Sequence, residues 1–186
     1  LEYGRSPQEA VPPRVLAPKE TRSTFGYFGQ VNPYKGVLIL LEAMRILEHQ
    51  NNNHIHLYVH GDNLKFQTEE FRQEFERRLA ECANNVTFAG RYSASDLPGL
   101  MEMVDWVVVP SVWWENSPLV IQEAKIHRRP IICSYSGGMA EKVKDGVDGL
   151  HFRVNDPQDL ARTMLAAADE KETWSRLRAG IEPVYS

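Results

Sequence analysis

The sequence has 186 residues, 42% of them apolar and 25% charged, with 21 Lys and Arg against 25 Asp and Glu. This is an ordinary globular composition, with room for one substantial core and part of a second. A net charge of −4 with no Lys/Arg stripe argues against nucleic acid as a partner, and there is neither a membrane-length apolar run nor a signal-peptide pattern.

The chain opens at Leu1 rather than Met, which reads as a piece of a longer protein. Residues 1–22 hold Pro7, Pro12, Pro13 and Pro18 among scattered charges and read as a linker or extended arm. Phe25 to Gly29 is a short apolar strand, and Gly36 to Glu48 a helix with Val37, Leu40, Leu41, Met44 and Leu47 on one stripe. Ile55, Leu57 and Val59 alternate with His54, His56, Tyr58 and His60, a strand with one apolar and one polar side. Thr68 caps a helix with an acidic first turn and an inner face of Phe71, Phe75, Leu79 and Cys82. Val86 to Gly90 is the next strand. A helix through Leu97, Leu100, Met101 and Val104 follows, with Ser95 as its candidate cap. Trp106 to Pro110 is continuously apolar, as a strand covered on both faces requires. Further on come a helix after Pro118, a strand Pro130 to Ser134, a loop at Gly137-Gly138 and a short helix Ala140 to Lys144. A strand Leu150 to Val154 precedes an Asp156-Pro157 helix start, with Leu160, Met164 and Leu165 facing inward.

Strand and helix in strict alternation predict an α/β fold, a Rossmann-like open parallel sheet with helices on both faces. Ligands of such sheets bind beyond the carboxyl ends of the strands. The segments to search are therefore 29–35, 61–63, 90–92, 111–118 and 134–139. Among them, 111–124 carries the most information. Ser117 before Pro118 reads as an N-cap and first helical position, which exposes the amides of Leu119 and Val120 at the positive end of a helix. Such a seat favours a phosphate. Glu115 before it and Glu123 within the helix add two carboxylates that can accept from hydroxyls, so the fitting ligand is part phosphate and part polyol, as a nucleotide sugar is.

Several motifs stand in order along this frame: Phe28-Gly29 followed by Lys35-Gly36, Thr87-Phe88-Ala89-Gly90, Pro110-Ser111, the pair Glu115 and Glu123, Gly137-Gly138-Met139-Ala140-Glu141 and Asp145-Gly146-Val147-Asp148-Gly149. Together they resemble the C-terminal, donor-binding half of retaining GT-B glycosyltransferases of the family 4 type, over residues 23–170. The resemblance implies one half of a GT-B fold and a nucleotide diphosphate sugar, UDP- or GDP-linked, as ligand, with no metal or cofactor required. It implies that Lys35 contacts the diphosphate, Glu115 lies by the donor sugar and Glu123 binds the ribose. Gly29 and Gln30 would lie at the first strand's end, Asn116, Ser117, Leu119 and Val120 would offer amides, and Arg91 or Tyr92 would sit near the base. Glu115 and Lys35 are then the candidate catalytic residues. Residues 171–186, around Trp174, would run towards a missing N-terminal acceptor-binding domain. This polypeptide alone is expected to bind nucleotide and to transfer sugar very poorly.

One position departs from that pattern. Many family members carry a basic residue where this chain has Gln30, so neutralisation of phosphate falls more heavily on Lys35 and on helix amides. Gln30 keeps open a non-catalytic nucleotide-binding or regulatory module, and an epimerase of UDP-sugars on the same fold is a second rival. The remaining features read as structure. His54, His56 and His60 have no carboxylate at ligand spacing, so a polar strand edge or packed histidines is preferred to a metal. Trp113-Trp114 suits stacking on a base or sugar as well as packing. Neither a Gly-x-Gly-x-x-Gly nor a Walker loop is present. Cys82 and Cys133 read as two buried thiols, which fits a reducing cytoplasm. Association of the full-length protein with a membrane stays open.

Overall fold

The alternating pattern closes into one sheet. The computed structural model describes residues 10–115 and 118–182. Among these the elements run β1 (Thr24–Gln30), α1 (Val37–His49), β2 (His56–Asp62), α2 (Glu69–Glu81), β3 (Val86–Gly90), α3 (Leu97–Met103) and β4 (Trp106–Val109). They continue with α4 (Leu119–Ile126), β5 (Ile131–Ser134), α5 (Gly137–Lys142), β6 (Gly149–Phe152), α6 (Pro157–Asp169) and α7 (Lys171–Gly180). All the strand pairs are parallel and the order is β3-β2-β1-β4-β5-β6. This is the doubly wound arrangement, with its reversal of direction between β1 and β4.

Strand alternation sorts the core into two layers. Phe25, Tyr27, Leu57, Val59, Trp106, Val108 and Ile132 face α1, α2, α6 and α7. Phe28, Val107, Val109, Ile131 and Cys133 face α3, α4 and α5. On the first face the stripe of α1 is buried from Val37 to Leu47, as its three-four spacing requires. Thr68 accepts from the Phe71 amide and Asp156 from the Asp159 amide, so both expected caps form. Ser95 does not cap α3. Asp96 holds the capping position, and its carboxylate accepts instead from the Ser93 amide at 2.8 Å, which closes a turn before the helix. Both cysteines are free and buried, and burial pushes each thiol up to about 12.

Residues 10–22 contain no helix or strand, as an arm should, yet they are fastened to the domain. Arg129, fully buried, donates to the Pro12 and Val11 carbonyls at 2.9 and 3.4 Å, and the Arg14 guanidinium grips Asp105 at 2.8 Å. The segment read as a C-terminal tail carries α7, whose Trp174 and Leu177 are buried in the first core layer. Trp174 donates from Nε1 to the Asp105 carbonyl at 2.7 Å. Through residue 181 this segment is therefore part of the domain's own packing. No helix of the described residues is long and apolar enough to cross a membrane.

Candidate functional site

At a reversal of strand order the loops after the two central strands leave in opposite directions, which opens a crevice between them. Here those loops follow β1 and β4. After β1 the Asn32 side chain accepts from the amides of Tyr34 and Lys35, both at 3.0 Å, and winds residues 33–35 into one 3-10 turn. Gly36 then turns the chain with a φ of +72° into α1. A Cβ at Gly36 would lie 1.8 Å from the Pro110 carbonyl oxygen, so only glycine lets the two loops approach this closely. The Val112 amide donates to the Tyr34 carbonyl at 3.0 Å and ties one loop to the other.

That tie brings the functional side chains together. The Lys35 ammonium lies 2.7 Å from Glu115 Oε2, although the residues are 80 apart in sequence. The Ser111 hydroxyl donates to the other Glu115 oxygen, Oε1. The Glu115 carbonyl accepts from the Gly138 amide at 2.9 Å, and the Trp114 ring rests on Gly137, where a Cβ would come within 2.9 Å of the indole. Tyr27, Gly29, Lys35, Ser111, Glu115 and Val120 line a cleft of about 30 Å³, room for roughly one water molecule. At its base Tyr27 donates to the Gln30 carbonyl at 2.5 Å. Burial, and then the nearby Glu115 charge, pushes the Tyr27 phenol upward, so it stays a neutral donor.

Side-chain exposures of 34% for Lys35 and 16% for Glu115 mean that solvent, and anything dissolved in it, reaches this pair. It is the environment in which an ion pair gains little net energy and exchanges partners readily. Helix α4 starts beside it. Pro118 is the extended N-cap, with Leu119 as first helical residue, one position later than expected. Its opening amides, Leu119 and Val120, have no carbonyl of their own helix to bind. An ammonium and a helix N-terminus on one cleft form a seat for an anion, and the carboxylate beside them can accept from hydroxyls.

Of the residues expected from the sequence, Gly29, Lys35, Glu115 and Val120 share this cleft, and Leu119 opens the adjoining helix. Glu123 is buried on α4, 6% exposed, rather than turned to solvent. Gln30 is exposed at the end of β1 and accepts from Asn32 at 3.2 Å. Arg91 lies on the neighbouring strand ends, 3.9 Å from Asp62 and 82% exposed. Tyr92 packs edge-on against Phe28, which itself lines the cleft, and against His60. Asn116 and Ser117, including the expected Ser117 cap, lie outside the described residues. Ser111 and Tyr27 received no role from the sequence. A hydroxyl four residues before a carboxylate was the available signal for Ser111.

Each of the three histidines has its own neighbour. His60 stacks on Phe28 at 5.0 Å, His56 pairs with the Thr87 hydroxyl at 2.9 Å, and His54 with Asp169 at 2.9 Å. Trp113 meets Tyr34 edge-on at 5.6 Å, and both rings are exposed.

The chain is similar to known proteins in sequence and in fold. The profile of the family described as "Glycosyl transferases group 1" matches residues 11–181. The lipopolysaccharide 1,2-N-acetylglucosaminetransferase of Salmonella typhimurium is 30% identical over 154 residues, 81% of this chain and 40% of that enzyme. Anabaena Alr3699/HepE, solved in complex with UDP and glucose, superposes with a TM-score of 0.77 at 25% identity, over 86% of this chain and 42% of that one. The C-terminal domain of the Francisella tularensis protein LpcC has the same fold, with a TM-score of 0.70 at 17% identity, over 84% of this chain and 80% of that one. The chain spans about half, or less, of the length of the curated relatives it matches.

Proposed function

The chain belongs to the group 1 glycosyl transferases, and from that premise we propose that it is the donor-binding half of an enzyme moving a sugar from a nucleotide diphosphate sugar to an acceptor hydroxyl. The diphosphate takes Lys35 and the opening amides of α4, Glu115 turns to the hydroxyls of the donor sugar, and Glu123 holds the ribose. Uridine is the favoured base, because HepE binds UDP and an Escherichia coli relative, 25% identical, is named for UDP-Gal. One observation carries the reading. A lysine from the loop after β1 and a glutamate from the loop after β4 meet at the switch point of a doubly wound sheet, beside a helix N-terminus.

In chemical terms, cleavage of the donor leaves a nucleoside diphosphate carrying new negative charge. An ammonium and fixed amide dipoles stabilise that charge without reorganising, which lowers the barrier to departure. The carboxylate of Glu115 orients the sugar and steadies positive charge developing at its ring. The family resemblance points to retention at the anomeric centre, with the acceptor and the other wall of the cleft supplied by an N-terminal domain. Transfer thus belongs to the full-length protein and nucleotide binding to this half.

Titration calorimetry of this chain with UDP, GDP and ADP tests the assignment. One nucleotide is expected to bind with a Kd on the order of micromolar, and Glu123→Ala to weaken it at least tenfold, about 1.4 kcal/mol. Binding of none, or no change in Glu123→Ala, contradicts it. NMR of the first product formed by the full-length protein reads the anomeric configuration directly.

A further inference from the structure

Resting on that reading of the site, we propose that Glu115 is a built-in competitor of the donor's phosphate for Lys35, so that the site discriminates the intact donor from the spent nucleoside diphosphate, and that Ser111 is the positioning residue that sets this competition. The Lys35 ammonium is already neutralised by Glu115 at 2.7 Å, in a cleft that Tyr27, Gly29 and Ser111 also line. A diphosphate has to take the ammonium from the carboxylate. The measured affinity is then the intrinsic affinity reduced by the fraction of molecules in which Lys35 is free.

The two ligands differ in what they give back. A nucleoside diphosphate leaves Glu115 without its cation and close to another anion. A nucleotide sugar brings hydroxyls that donate to the displaced carboxylate. The loss is refunded only while the sugar is attached. Once it has been transferred, Glu115 and the departing diphosphate contend again for one ammonium, which favours release of the product. Ser111 fits this account, because its hydroxyl holds Oε1 and aims Oε2 at Lys35. The Glu115 carbonyl, fixed by the Gly138 amide at 2.9 Å, keeps the backbone still while the side chain changes partner. With Gln30 in place of a basic residue, no second cation at that position dilutes the competition.

Glu115→Gln preserves shape and removes the charge. In calorimetry on this chain it should bind UDP roughly two- to fivefold more tightly than the unaltered protein, the range expected from freeing one partly exposed ion pair. The preference for UDP-glucose over UDP should shrink by a similar factor. Ser111→Ala should shift both quantities the same way by a smaller factor, and circular dichroism checks that both variants are folded. Should GDP prove to be the nucleotide bound, GDP and GDP-mannose replace the uridine pair. If the unaltered chain binds nucleotide but Glu115→Gln binds it equally or more weakly, the competition is refuted and the donor site stands. If the unaltered chain binds none of UDP, GDP and ADP, the donor-site reading falls and this inference falls with it.

Discussion

The two ends of β4 carry two carboxylates in opposite circumstances. Before the strand, Asp105 has no exposed side-chain surface and accepts from Arg14 at 2.8 Å, Arg22 at 3.0 Å and the Thr24 amide at 3.1 Å. Arg22 in turn lies over the Trp174 ring at 4.2 Å, so one buried acid gathers the arm, β1 and α7. After the strand, Glu115 is held by one ammonium and one hydroxyl, within reach of solvent. A carboxylate that is itself fully buried and saturated with donors holds the fold, because losing a donor leaves buried charge uncompensated. A carboxylate with one exchangeable cation can do chemistry.

Substitutions at the two ends should therefore separate stability from binding. Asp105→Ala should cost about 3–5 kcal/mol by stranding two guanidinium groups. Urea unfolding measures it, and a loss below about 1 kcal/mol would mean that water solvates the arginines. Gly36→Ala comes next, at about 2–3 kcal/mol, since it adds left-handed strain to a collision with the Pro110 carbonyl. Because that collision lies between the loops of Lys35 and Glu115, nucleotide binding should fall with stability. Lys35→Ala should sharpen the contrast: UDP affinity drops roughly ten- to a hundredfold, while stability stays within about 0.5 kcal/mol. Equal effects of Lys35→Ala on both would make Lys35 structural.

A more gradual effect is on pH. Burial lowers the pKa of His56, His60 and His127 below the ordinary value of 6.5, with the Arg129 charge adding to the shift at His127. The unfolded chain then binds protons more readily than the folded one. Stability is complete above about pH 6.5 and declines as the pH falls towards the folded values, the slope reaching at most about 1.4 kcal/mol per pH unit for each histidine. His60→Phe, which keeps the stack on Phe28, should remove part of that slope. An unchanged slope would assign it to the other two.

Most of the sheet was readable in the sequence because both of its periods are strong. The apolar stripe of α1 and the continuous run of β4 tolerate no other placement. Boundaries drifted where the signal was a single residue. Ser95 looked like a cap but lost the position to Asp96, since the chain turns one residue later, and Gly137 starts α5 rather than preceding it in a loop. Lys35 and Glu115 could be picked out from family motifs. That they touch could not, because the contact depends on Gly36 passing Pro110 and on the Val112–Tyr34 hydrogen bond, and neither leaves a local trace. The packing of α7 on the domain leaves no local trace for a similar reason. Trp174 gains its anchor only from the carbonyl of Asp105, far away in the chain.

A structure of this chain with bound UDP tests the central claim most directly. The account predicts the diphosphate on the Lys35 ammonium and the Leu119 and Val120 amides, the Lys35–Glu115 contact opened, and the ribose hydroxyls on Glu123. A nucleotide bound elsewhere, with Lys35 and Glu115 still paired at 2.7 Å, would contradict it.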